Sequence, residues 1–145
     1  MYNNLYTVSE IIPNTDYLMF RKGIRPEWED PRNKKGGKWV VTVPIEEDME
    51  EECEEAWQKL LLHMIGGIFP DDTFDLINGA IFSIRDKHWR ISIWCNDNNN
   101  IPRLKRIGAR FKELCEFPPE FKFGYQLHEK AIIHELDNKA FLNID

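Results

Sequence analysis

The chain has 145 residues, 42% hydrophobic and 30% charged, with a net charge of −6; it can bury one substantial core and shows no disorder-like bias. The acidic balance argues against a general nucleic-acid-binding domain, which is ordinarily basic. No stretch approaches the roughly 18 apolar residues of a membrane span. Met1-Tyr2-Asn3-Asn4 lacks the basic flank of a signal peptide, so one cytoplasmic domain over residues 1–145 is expected.

The first informative stretch is Gly23-Ile24-Arg25-Pro26-Glu27-Trp28-Glu29-Asp30-Pro31. Gly23 permits positive φ, Pro26 and Pro31 fix φ, and Arg25 and Asp30 before them are pushed away from helical geometry. A loop presenting Trp28 beside Glu29 is predicted. An indole and a carboxylate side by side suit a flat ligand with a donor edge. Guanine offers a π face for stacking, and its N1–H and N2 amino group can both donate to one carboxylate. A positively charged base would add a cation–π contribution. The plainer alternative is a Trp that anchors its loop in the core beside a solvated Glu.

The chain continues through the basic glycine turn Asn33-Lys34-Lys35-Gly36-Gly37 into a predicted strand, Lys38 to Val43, rich in β-branched residues. Period-two alternation puts Trp39, Val41 and Val43 on one face and Lys38, Val40 and Thr42 on the other. Asp48 to Ile65 reads as an amphipathic helix with Met49, Cys53, Ala56, Trp57, Leu60, Leu61 and Met64 inward, an acidic first turn and a Gly66-Gly67 stop.

Ala80 to Arg85, the turn Asp86-Lys87-His88-Trp89 and Arg90 to Trp94 read as a β-hairpin. Phe82, Ile84, Ile91 and Ile93 fall on the core face; Ser83, Arg85, Arg90, Ser92 and Trp94 fall on the other, with Lys87 near in the turn. A single cation on such a face would be an ordinary solubilising group. Four cations with two Trp residues make a plausible base and phosphate platform.

A second helix is expected from Asn100 or Pro102 to about Cys115, with Leu104, Ile107, Phe111 and Leu114 inward and Arg103, Lys105, Arg106, Arg110 and Lys112 on a solvated face. Pro118-Pro119 precedes a strand from Phe121 to Leu127. Ala131 to Leu142 is left open between helix and strand. Cys53, Cys95 and Cys115 are widely spaced and odd in number, which fits reduced thiols. No Cys-x-x-Cys motif occurs and His63, His88, His128 and His134 lack ligand spacing, so no metal or cofactor is implied. His128 and His134, with Glu129 and Glu135, are assigned to a solvated C-terminal surface.

Taken in order, Gly-Ile-x-Pro-x-Trp-Glu-Asp at 23–30, Asn-Lys-x-Gly-Gly-x-Trp at 33–39, Gly79-Ala80, Ile84-Arg85, Ile91 to Trp94, Ile107-Gly108, Pro118-Pro119 and Gly124-Tyr125-Gln126 resemble the cap-binding translation initiation factor 4E proteins. The resemblance spans nearly the whole chain. It implies an α+β fold, a curved and mainly antiparallel sheet with helices on its convex face, and a protein that binds the 7-methylguanosine 5′ cap of messenger RNA. Trp28 would stack on the methylated base, Glu29 accept from N1 and N2, and Trp94 touch the N7-methyl group. Lys38, Arg85, Lys87 and Arg90 would meet the triphosphate. Lys38 stands where the family commonly has Arg, which keeps the charge and loses the planar fork.

The family ordinarily has further sequence before the matching part, with the first strands, the second Trp of the cap sandwich and a Trp gripped by partner proteins. Without that second Trp, base stacking weakens by roughly 1–3 kcal/mol. Without the first strands, an unpaired edge would favour homodimerisation or modest stability. Partners implied by the resemblance are capped messenger RNA and the scaffold factor 4G or 4E-binding regulators. Leu62 is the expected partner contact; Gln58 and Lys59 depart from the apolar and acidic residues common beside it. No nucleophile–base constellation or phosphate-binding glycine loop before a helix is present, so an enzyme is the remotest reading. The nearer alternative is a protein-interaction relative acting as a translational regulator or decoy.

Overall fold

A computed structural model describes residues 14–27, 29–66, 71–128 and 142–144. Six strands form one sheet: β1 (Thr15–Phe20), β2 (Gly37–Pro44), β3 (Ile77–Ile84), β4 (His88–Cys95), β5 (Phe123–Leu127) and β6 (Leu142–Ile144), in the order β1-β3-β4-β2-β5-β6 with every pairing antiparallel. The helices are α1 (Glu50–Gly66), the one-turn α2 (Asp71–Phe74) and α3 (Ile101–Cys115). The architecture is the expected α+β arrangement of a curved antiparallel sheet backed by helices.

Strand alternation decides where the core lies. Trp39, Val41 and Val43 of β2, Ala80, Phe82 and Ile84 of β3, Ile91, Ile93 and Cys95 of β4, and Phe123 and Tyr125 of β5 are all buried. They meet Cys53, Ala56, Trp57, Leu60, Leu61 and Met64 of α1, which recur at helical spacing, and Leu104, Ile107 and Phe111 of α3. Trp57 packs on Phe82 with ring centroids 5.7 Å apart, and Phe111 meets Phe123 edge-on at 5.0 Å. The Trp39 indole N–H donates to the Leu104 carbonyl at 2.8 Å, which ties β2 to α3 and satisfies the one polar atom of that buried ring. Both helices fall within a residue or two of their expected limits. Asn100 caps α3 by accepting from the Arg103 backbone N–H, and Glu116 ends it in the left-handed region at φ 52°. The final predicted strand is shorter than expected: it starts at Phe123, while Phe121 is buried but lies ahead of the ladder. The open assignment at 131–141 lies outside the described residues, and β6 begins at Leu142.

The sequence reading contained no strand at 15–20. β1 pairs with β3 over six residues, from Thr15↔Ile84 to Phe20↔Gly79, and delivers the chain into the loop at 21–36. That loop is fastened by buried polar groups. Asn33, fully buried, donates through Nδ2 to the carbonyls of Arg25 and Glu27 at 2.8 and 2.9 Å. Its Oδ1 accepts from Asn78 at 2.8 Å, and Asn78 also donates to the Arg32 carbonyl. Asn96 extends the chain of amides by donating to Asn78 Oδ1 at 3.1 Å. Asp30 accepts the backbone N–H groups of Arg25 and Arg32 at 3.0 and 2.9 Å, and Arg21 donates to the Ile77 carbonyl at 2.6 Å. Side chains thus replace the ladder that a strand would have supplied.

Removing Asn33 deletes three buried hydrogen bonds, to the Arg25 and Glu27 carbonyls and from the Asn78 amide. Asn33→Ala should therefore cost ~1–3 kcal/mol in urea denaturation, with amide exchange in residues 25–33 accelerating before exchange in the sheet; a change within about 0.5 kcal/mol would contradict this tie. The backbone bonds to Asp30 hold its carboxyl below the ordinary value of 3.8, so the folded loop favours the ionised form. This contribution is complete above about pH 3.8 and fades as the pH falls through the depressed folded value. Asp30→Asn should flatten that part of the acid-unfolding profile.

Candidate functional site

The face of the sheet opposite the helices carries the predicted cations. Antiparallel register sets Lys38 opposite Trp94, with Trp94 opposite Gly79 on the next strand, and sets Thr42 opposite Arg90, with Arg90 opposite Ser83. The two rows are separated by four residues of strand, roughly 13 Å. Between them Val40 and Ser92 are buried, so this face is less open than alternation alone implied.

The cations sense one another. Lys38 is half-buried, and its pKa is lowered first by burial and then by the Arg90 guanidinium. Arg90 is shifted down by burial and then by Arg85. His88, on the same ladder, is lowered by burial and then by Arg90 and Arg85. Arg85 is neutralised in part: it pairs with Asp16 of β1 at 3.0 Å and donates to the Ile84 carbonyl at 3.1 Å. Arg90 donates only to the Thr42 hydroxyl at 3.3 Å, and neither Lys38 nor Arg90 has a carboxylate partner among the described residues. Half-buried cations without counter-charges are costly and are suited to an anionic ligand. Lys87 is exposed in the turn between β3 and β4.

Beyond Lys38 the face becomes aromatic. Trp94 is 8% exposed, with Phe20 edge-on at 5.4 Å and the Lys38 ammonium 6.0 Å from its ring centroid. Its other neighbour corrects an expectation. His128, assigned from sequence to a solvated surface, is 2% exposed and lies against the Trp94 indole at 4.2 Å. The missed signal was strand parity: with Phe123 and Tyr125 facing the core, 124, 126 and 128 continue on the Lys38 side. His134 lies outside the described residues.

Trp28 also lies outside the described residues. Its neighbour Glu29 is exposed on the loop and has no polar partner among the described residues, whereas Asp30 next to it is buried and fully engaged. The loop at 21–36 returns directly into Lys38, which joins the candidate base acceptor to the candidate phosphate row by a short run of chain. Gly23 has φ +88°, the turn geometry expected there. Leu62 occupies the other side of the molecule, 65% exposed on α1 beside Ile65 at 51%, while Trp57 is in the core as expected. Lys59 near them is paired with Glu116 at 3.3 Å. All three cysteines are buried thiols, and burial raises each pKa. No described helix is long and apolar enough to cross a membrane.

Comparison with known proteins gives a consistent result. The family described as eukaryotic initiation factor 4E matches residues 1–141. Eukaryotic translation initiation factor 4E of Homo sapiens is 36% identical over 128 residues, 88% of this chain and 58% of the human protein. Factor 4E1 of Drosophila melanogaster is also 36% identical, over 138 residues, 95% of this chain and 52% of that protein. The chain thus spans little more than half the length of these relatives. Among solved structures, Ascaris suum eIF4E-3 in complex with m7G cap superimposes with a TM-score of 0.84 at 30% identity, covering 97% of this chain and 74% of that one. Caenorhabditis elegans eIF4E-3 with the 4E-binding protein Mextli and a cap analog gives 0.84 at 27% identity, covering 97% and 75%. With the sheet, the loop motifs and the family match in agreement, the chain belongs to the eukaryotic initiation factor 4E family.

Proposed function

We propose that this protein binds the 7-methylguanosine 5′ cap of messenger RNA in translation initiation. The observation that carries the reading is the pair of half-buried cations, Lys38 and Arg90, aligned on one sheet face without carboxylate partners among the described residues, with Arg85 repelling Arg90. Three phosphates arriving there would relieve the mutual repulsion and replace lost hydration with charge-assisted hydrogen bonds. Glu29, without a polar partner among the described residues, supplies an acceptor for the guanine N1–H and N2 amino group, Trp28 beside it supplies the stacking face, and Trp94 meets the N7-methyl group. Lys87 extends the cationic row toward the outer phosphates. Recognition is by binding alone; no bond of the cap is made or broken.

The relatives described with m7G cap or a cap analog support this assignment, and one of them also binds a 4E-binding protein. We infer the same class of partner here, the scaffold factor 4G or a 4E-binding regulator, on the exposed Leu62 and Ile65 of α1. This surface lies across the helix layer from the cationic face, so both ligands can be held at once. A regulator or decoy without cap affinity has no use for Lys38 and Arg90 held half-buried on the opposite face without carboxylate partners among the described residues.

7-Methyl-GTP should quench the intrinsic Trp fluorescence of this chain at lower concentration than GTP does, and Glu29→Ala should weaken 7-methyl-GTP binding by ~1.5–3 kcal/mol, the range for a hydrogen bond to a charged group. Equal response to the two nucleotides would favour the decoy. Lys38→Ala and Arg90→Ala should each reduce the slope of log K against log salt by about one unit while leaving the preference for the methylated base intact. An unchanged slope would remove these side chains from the phosphate site.

A further inference from the structure

We infer that His128 is a positioning residue that sets selectivity for the N7-methylated base, its ring holding the Trp94 indole in place on the concave face. This rests on the cap-binding reading and adds a residue whose role that reading does not require.

The indole is held from two sides by rings on different elements. Phe20, at the end of β1, meets it edge-on at an interplanar angle of 79°, and His128, just beyond β5, lies at 43° with centroids 4.2 Å apart. Phe20 reaches Trp94 across Gly79, where an added Cβ would come within 2.5 Å of the Phe20 ring, so the strand between them must lack a side chain. His128 is itself fixed by its backbone N–H, which donates to the Gly36 carbonyl at 3.1 Å. Gly36 ends the recognition loop. One residue therefore joins the loop that carries Glu29 to the indole that faces the methyl group.

The chemistry of the ring fits a packing role. Neither His128 Nε2 nor Trp94 Nε1 has a hydrogen-bond partner among the described residues, although both atoms are enclosed. Among the described residues the contact the ring makes is with the Trp94 indole. Burial, and then the Lys38 ammonium, push its pKa down to about 3, so the ring is neutral near neutral pH. A flat, uncharged ring supports the indole without adding a second charge beside Lys38 where a cationic base must approach.

The test compares His128→Leu, which removes the ring, with His128→Phe, which keeps it and deletes both nitrogens. Two readouts are needed: the ratio of GTP to 7-methyl-GTP dissociation constants, and the Trp94 Nε1–H resonance in the nucleotide-free protein. His128→Phe should retain both. His128→Leu should lower the ratio by roughly two- to tenfold, the worth of one aromatic pair, with GTP affinity unchanged and the Trp94 resonance shifted or broadened. A His128→Leu protein with an unmoved Trp94 resonance, or with both nucleotides weakened alike, would overturn the inference. Failure of the unmodified protein to discriminate the nucleotides would instead overturn the cap reading, and the selectivity role with it.

Discussion

The antiparallel register of β2 against β4 is the constraint on which the site depends. It pairs Lys38 with Trp94 and Thr42 with Arg90, and in the same ladder pairs Trp39 with Ile93 and Val41 with Ile91. Because side chains alternate, one register assigns both faces: the apolar set goes to the helices and the cations go together on the other side. A slip of β2 by one residue would push Lys38 toward the core, turn Trp39 outward and part Lys38 from the Trp94 and Arg90 face of β4. Burial of Trp39, Phe82, Ile91 and Ile93 therefore excludes the slipped alternatives, and the core specifies the site.

The site itself works against stability. Lys38 and Arg90 are partly desolvated and repel each other, and Trp94 and His128 enclose polar atoms that make no hydrogen bond among the described residues. Such groups persist where the surrounding structure over-determines them. Here the compensation comes from the Trp39–Leu104 hydrogen bond and the α1 and α3 packing on one side, and from the amide chain Asn33–Asn78–Asn96 under the loop at 21–36 on the other. The loop is held by Asp30 and Asn33, spent on backbone groups, while Glu29 beside them is exposed and has no polar partner among the described residues.

The sequence makes some of this legible and hides the rest for physical reasons. Period-two patterns in β2, β3 and β4 were clear because one face is uniformly apolar, and α1 and α3 showed a helical repeat of buried residues. β1 was hidden: Tyr17 and Met19 face the core, but Leu18 between them is apolar and 49% exposed, which erases the alternation in the sequence. Asn33 read only as part of a glycine turn and Asn78 and Asn96 carried no signal, since amides specify nothing until a partner is brought near; Asn33 and Asn78 are 45 positions apart in sequence. His128 was misplaced because the reading stopped at the strand end and gave its neighbours a bland surface role. Loop motifs and their family resemblance supplied Trp28 and Glu29, which no hydrophobic pattern could have singled out.

The central claim is that the recognition loop and the cationic sheet face form one binding site for a methylated guanosine triphosphate. An amide NMR titration of this chain with 7-methyl-GTP tests it most directly. Saturable shifts should appear together at 25–36, at Lys38 to Thr42, at Arg85 and at Arg90 to Trp94, with Leu62 and Ile65 on α1 unmoved. Shifts confined to one of those segments, or centred on the outer face of α1, would contradict it.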